Sequence, residues 1–310
     1  MDKILLIDAH NAMWRASIGF GPPREHIVCS GGFEEACKHK LFEEGIIHCT
    51  CGAKWAMADS QCYGEKYVQI FNFFRNLRPL IEEFSPVKCF FVLEGHPKFR
   101  YDLFSDYKAN RIIKTAAKQE DRDRFDVSKE EIIRILQHFP LTIARAAQYE
   151  ADDVIAALCE DMKDEELTVL SNDSDYIQLL QRGYKDCHIY NPIKKEFMTA
   201  PAYPYVGWKS LNGDKSDNIP ALLKPKKALD TINNPELFKK FMEVEENRAN
   251  FSVNRKLIEF HPVPMDEIIM TVGVRNDALV KQEFARMEFQ SIINDVSWAK
   301  YKKTFDCIRY

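Results

Sequence analysis

Carboxylates recur along this chain where hydrophobic runs stop. Asp8 follows the apolar run that starts after Lys3, Glu94 follows Cys89–Leu93, and Asp173 with Asp175 follows Leu167–Leu170. Glu150, Asp152 and Asp153 form a further set, and Asp214 with Asp217 a later one. Gathered in one place, so many acids cannot ionise together without cations, because each raises the pKa of its neighbours. Hard divalent cations such as Mg²⁺ take oxygen ligands and bring phosphate groups with them. The residue types therefore point to metal-dependent phosphodiester chemistry. Taken singly, each set also has an ordinary explanation. Asp152 and Asp153 open a helix, where acids favour the dipole. Asp173 and Asp175 suit turn and cap positions, and Asp214 and Asp217 lie in a Gly/Ser/Asn-rich loop.

The elements that must position these acids follow from the pattern around them. Runs 3–8, 89–93, 141–145, 167–170 and 187–190 read as strands. Helical stretches alternate with them: 64–84 with Pro79 inside, a helix opened by Ser128 and Glu131 as a capping box with Val127 and Ile132 as a staple, 151–162, and 174–182. This alternation predicts an α/β fold with a mainly parallel sheet flanked by helices. Ligands of such sheets bind outside the carboxyl ends of the strands, where these acids stand. From Pro201 onward the pattern turns helical. The expected division is residues 1–200 as a catalytic domain and 201–310 as a smaller helical one.

The strings LLIDAHN (5–11), YEADDVIAAL (149–158), LSNDSDYIQLL (170–180) and WKSLNGDKSDNIP (208–220) closely resemble, in order, the motifs of the 5′-nuclease family. That family includes flap endonucleases, bacterial polymerase 5′–3′ exonuclease domains and phage 5′-nucleases. Within it the chain is most similar to the branch holding the T-even phage ribonucleases H, which remove RNA primers; NRKLIEFHPVP (254–264) supports that branch. The resemblance implies a PIN-like fold and a Mg²⁺- or Mn²⁺-dependent, phage-encoded 5′-nuclease. Two metals roughly 4 Å apart would activate water and stabilise the leaving oxygen. It assigns Asp8, Glu94, Glu150, Asp152 and Asp173 to a first metal, and Asp153, Asp175, Asp214 and Asp217 to a second. Relatives carry Asp where this chain has Glu94, one methylene longer.

RYDLFSDYKANR (100–111) resembles the family string that opens a helical arch, here about 98–128, through which a single strand passes. It implies Lys108 and Arg100 as electrophilic partners of the phosphate and Arg111 as a phosphate clamp. Lys108 and Arg111 lie one helical turn apart and can face one phosphate. Tyr107 beside them could stack on a frayed base. Residues 108–126, with little apolar surface, are expected to be mobile without DNA. A helix–hairpin–helix-like element follows from Gly213, with Lys215, Ser216, Asn218, Lys224, Lys226 and Lys227 as DNA contacts. ALLKPKKAL (221–229) has no hairpin glycine, which leaves a K⁺ site doubtful. The basic clusters, Lys209 among them, otherwise read as solvated faces.

Between 24 and 63 a Cys-rich insert interrupts the motifs. A zinc knuckle of Cys37, His39, Cys49 and Cys51, with Cys29 or Cys62 as alternates, would staple it by four-coordinate Zn²⁺. The alternative is free buried thiols. The insert could brace the arch, bind DNA or dock a replication protein.

Composition sets the outer bounds. The chain has 310 residues, formal net charge −4 and 45% hydrophobic residues, values of an ordinary globular protein. A carboxylate site supplies much of that negative charge, so it does not exclude nucleic acid. No apolar stretch reaches the about 18 residues of a membrane span. The first run is too short for a signal peptide, so the expected compartment is a reducing cytoplasm, the bacterial host's for a phage protein. Expected partners are branched or nicked DNA and RNA–DNA primer ends, with a single-strand-binding protein or sliding clamp as protein candidates and a monomer as the default. Two other readings compete: a PIN-like single-strand ribonuclease, and a non-catalytic DNA-junction binder.

Overall fold

The computed structural model describes residues 1–17, 27–29, 55–57, 67–111 and 115–309. Its strands are β1 (Lys3–Asp8), β2 (Ile27–Cys29), β3 (Trp55–Met57), β4 (Lys88–Leu93), β5 (Thr142–Arg145), β6 (Glu166–Leu170), β7 (Asp186–Asn191), β8 (Glu196–Phe197) and β9 (Ile269–Val272). The helices are α1 (Ala9–Ser17), α2 (Val68–Phe84), α3 (Lys98–Leu103), α4 (Ala116–Leu136), α5 (Ala151–Asp161), α6 (Ile177–Leu180), α7 (Tyr205–Asn212), α8 (Pro225–Asn233), α9 (Pro235–Glu243), α10 (Glu245–Ile258), α11 (Asp277–Arg286), α12 (Gln290–Ile293) and α13 (Asp295–Thr304).

Seven strands form one sheet in the order β8-β7-β6-β1-β4-β5-β9, with β2 and β3 paired separately. β6, β1, β4 and β5 run parallel, with Ile7 level with Leu170 and Asp8 level with Val92. The continuous apolar runs Ile4–Ile7 and Cys89–Leu93 are explained by burial on both faces. Leu5, Ile7 and Phe91 pack with α1, α2, α4 and the C-terminal helices on one side. Leu6 and Val92 pack with α5, α6 and Phe260 on the other. That register aligns the ends of β6, β1 and β4, which is what brings the acids together.

Three boundaries differ from the sequence expectation. First, α4 begins at Ala116, capped by Thr115, whose Oγ accepts the Lys118 N–H, and not at Ser128. The stretch from Ala116 is rich in good helix formers, so the helix runs through the Ser128 cap signal, and Ser128 lies buried inside it. Over the described residues of 108–126, a 3₁₀ turn spans Ala109–Arg111 and α4 starts at Ala116. Second, the expected helix 174–182 is a 3₁₀ turn, Ser174–Tyr176, followed by the short α6.

Third, the chain returns to the sheet after residue 260. β9 pairs antiparallel with β5, and Phe284, Trp298, Tyr301 and Phe305 join the core on the α2 side. The C-terminal part thus adds to the main core, while α7–α10 pack on two smaller cores, one of them shared with Tyr101, Leu103, Phe104 and Tyr107. A four-residue strand and aromatic-rich helices give too short a period for sequence to assign them to the sheet.

The proposed zinc ligands Cys37, His39, Cys49, Cys51 and Cys62 lie outside the described residues, and of Cys29 only its backbone place in β2 is described. Cys89, Cys159, Cys187 and Cys307 are free thiols. Among the described residues, no helix is long and apolar enough to cross a membrane.

Candidate metal centre and nucleic-acid cleft

The first acids are placed by backbone that cannot move far. Asp8 ends β1; its Oδ1 accepts the Asn11 N–H at 3.0 Å, and its Oδ2 accepts the Ser171 and Tyr176 hydroxyls, both at 3.2 Å. Glu94 directly follows β4, and its Oε2 accepts the Ala151 N–H at 3.1 Å, at the N-terminus of α5. Gly95 then lies flat against the turn that precedes α5: its N–H donates to the Tyr149 carbonyl at 2.9 Å, and a Cβ would sit 2.1 Å from the Ala146 carbonyl. Glu150 caps α5, Asp152 and Asp153 occupy its first turn, and Asp173 follows β6 with its Oδ1 accepting the Asp175 N–H.

The second group comes from two loops that interlock. Asp214 and Ile219 form a β-bridge, and the Asp214 carboxylate accepts both the N–H and the hydroxyl of Ser216. The Lys108 N–H donates to the Asp217 carbonyl at 2.9 Å, and the Asn218 amide donates to the Asp106 carbonyl at 2.8 Å. Lys108 and Asn218 both hold left-handed φ, 56° and 61°. That conformation is costly for Lys, and these cross-loop bonds are what hold it.

By charge, the carboxylates fall into two kinds. Glu150 pairs with Lys108 and Arg100, Asp153 with Arg100, Asp175 and Asp214 with Lys209, and Asp217 with Arg111. Asp8, Glu94, Asp152 and Asp173 have no such cation partner among the described residues. Their pKa values are raised, chiefly by desolvation: Asp8 to about 6, Glu94 to about 7 with Glu150 contributing, and Asp152 well above the ordinary carboxylate range. Asp173 opens onto solvent yet is enclosed on its other sides, and desolvation and then Asp175 raise it to about 6. An all-oxygen donor set that repels its own charge fits a hard divalent cation. Oxygens of Glu150, Asp152 and Asp153 lie within 4.8 Å of one another. Asp153, however, spends both oxygens on the Arg100 guanidinium, at 2.5 and 2.8 Å.

All of these acids except Asp153 line one open cleft of about 470 Å³, together with Lys108, Arg111, Lys215 and Ser216. Asn218, Lys224, Lys226 and Lys227 are exposed and are not part of the cleft lining. Three expectations are corrected. Arg100 is 1% exposed and lies behind Glu150, bonded also to the Leu257 carbonyl, so it cannot touch a phosphate in the cleft. Tyr107 is 2% exposed; its hydroxyl lies 2.9 Å from Glu150 Oε2 and 3.1 Å from Asp217 Oδ2, and its buried ring leaves no face for a base. Lys209 is not on a solvated face but buried between Asp175 and Asp214. Sequence reasoning also passed over His10, Asn11 and Tyr205, which line the cleft. His10 is held neutral, its pKa lowered to about 4 by burial and then by Lys129 and Arg122. His10 and Asn11 lie directly beside Asp8 in the first motif, the one signal that could have found them.

A doubly wound sheet with an acidic, cation-poor edge opening between basic loops suits a divalent cation together with a phosphate ligand. Residues 53–203 match the family described as the 5′–3′ exonuclease N-terminal, resolvase-like domain. The 5′–3′ exonuclease of Bacillus subtilis is 29% identical over 217 residues, covering 61% of this chain and 70% of that protein. DNA polymerase I of Streptococcus pneumoniae R6 is 31% identical over 169 residues, covering 50% of this chain and only 18% of the polymerase. The D15 flap endonuclease of bacteriophage T5, solved with DNA and metal ions, has a TM-score of 0.53 at 14% identity, over 98% of each chain. At that identity the likeness is one of fold. The chain is thus similar to 5′–3′ exonucleases over the matched residues, and to a phage flap endonuclease in fold.

Proposed function

We propose that this protein hydrolyses phosphodiester bonds near 5′ ends in branched or nicked DNA and RNA–DNA primer ends, using divalent metal at Asp8, Glu94, Asp152 and Asp173. One observation carries the reading: acids without a cation partner, all with raised pKa, meet at the carboxyl ends of adjacent parallel strands. Mg²⁺ or Mn²⁺ held there would supply Lewis-acid activation of water and offset charge on the phosphate. Glu150 adds an acid already balanced by Lys108. Lys108, 15% exposed, stands at the cleft wall and can leave Glu150 for a phosphate oxygen. Arg111, more than half exposed, and Lys215 would bind backbone phosphate beside it. Asp153 and Arg100 act from behind as a buried pair that fixes the first turn of α5. The flap and nicked-duplex substrates are those implied by the sequence resemblance, and the T5 enzyme's DNA complex supports them.

The test uses a 5′-labelled flap duplex and a nicked duplex with an RNA 5′ end. Each is incubated with Mg²⁺, with EDTA, and with the Asp173→Asn protein. Cleavage near the junction that needs Mg²⁺ and falls by at least about a hundredfold in Asp173→Asn is the expected outcome. Tight binding without cleavage in either Mg²⁺ or Mn²⁺ would reject the enzyme reading.

A further inference from the structure

Lys209 reaches the cleft from the last turn of α7 with its side chain only 9% exposed. Its ammonium donates to Asp175 Oδ1 and lies 2.6 Å from Asp214 Oδ2. These two acids come from separate segments, one after β6 and one from the 213–219 loop. The Tyr205 hydroxyl, one helical turn earlier, lies 3.3 Å from the same Asp175 oxygen, and Ser216 takes the other Asp214 oxygen. A buried lysine ordinarily loses its charge; two carboxylates at contact distance keep this one ionised. Its place is the space between the acids, which a divalent ion bridging them at about 2.1 Å per oxygen would have to fill. Asp8, Glu94 and Asp152 have no lysine or arginine at ion-pair distance among the described residues; the nearest ammonium, that of Lys108, is paired with Glu150.

We propose that Lys209 is an internal counter-cation: it neutralises the Asp175–Asp214 pair in the resting protein, so a second divalent ion binds more weakly than the first and only after displacing the ammonium. This rests on the metal reading above and refines it. The two acidic groups then differ by construction. One requires an ion to be stable, and the other carries its own cation until the substrate and an ion together outcompete it.

Calorimetric titration of Ca²⁺ into the DNA-free protein tests this without any cleavage. The wild type is expected to show a tight step and a weak one. Lys209→Met should tighten the weak step by about tenfold or more and leave the tight one within about twofold. Lys209→Arg, which keeps the charge, should behave as wild type. It also covers the case in which Lys209→Met does not fold without metal, because a tenfold gain in the Arg variant would overturn the charge argument by itself. A weak step unchanged by Lys209→Met beside an intact tight step overturns this inference alone. Absence of both steps in all three proteins overturns the metal reading and the inference with it.

Discussion

Glu94 shows how much a single methylene can decide. Glu94 is one methylene longer than an aspartate, and its Oε2 accepts the Ala151 N–H at the N-terminus of α5. The same crowding gives the site a pH signature. Asp8, Glu94 and Asp173 have folded pKa values of about 6, 7 and 6, above their ordinary values near 4. A raised acid stabilises the fold while protonated and loses that contribution as pH rises through its folded pKa. The metal-free protein should therefore melt at a higher temperature near pH 5 than near pH 8. Ca²⁺ competes with those protons, so its stabilising effect should grow over the same interval. Thermal melts in EDTA and in Ca²⁺ at both pH values check this, and an EDTA melt that rises toward pH 8 would refute it. At this scale the sequence was legible wherever an acid closes an apolar run, as at Asp8, Glu94 and Asp173. It misled where the partner comes from another segment: Tyr107 and Lys209 look like solvent-facing residues until Glu150, Asp175 and Asp214 are brought to them.

Among the elements, strands spoke clearly and joints did not. β1, β4, β5, β6 and β7 fall within a residue or two of their sequence expectation, because two-faced burial leaves an unbroken apolar run. The Ser128 cap signal failed because local cap chemistry, about 1 kcal/mol, yields to a helix that already packs along its length. β9 was missed because four residues set no period. The tightest joint is the contact between Gly95 and the turn before α5. Gly95→Ala drives a Cβ to within 2.1 Å of the Ala146 carbonyl and 2.5 Å of the Tyr149 carbonyl, both rigid backbone. The strand end must shift, at a cost of about 1–3 kcal/mol. Because Glu94 and Glu150 flank that joint, Ca²⁺ affinity should fall as well. Urea unfolding and the Ca²⁺ titration together measure this; a variant with wild-type stability and affinity would show that the joint is slack.

At the scale of the whole molecule, charge is laid out by function. Net charge is −4, yet Lys215, Lys224, Lys226 and Lys227 are exposed around the segment that leads from the cleft to α8. If each of the last three meets a phosphate, replacing them with Gln should reduce the salt dependence of duplex binding by about 2–3 in the log–log slope. The slope read from binding at several salt concentrations in EDTA isolates that effect from catalysis, and an unchanged slope would place the duplex elsewhere. A different consequence follows from the return of the chain to its sheet. Phe284, Trp298, Tyr301 and Phe305 close the α2 face, and the Arg309 N–H bonds the Val87 carbonyl at the start of β4. Synthesis runs from residue 1, so β1, β4 and α2 emerge long before the helices that cover them. For that interval a wide aromatic surface waits unshielded on the ribosome, open to chaperones and to other nascent chains. The chain's most vulnerable moment is thus its own translation.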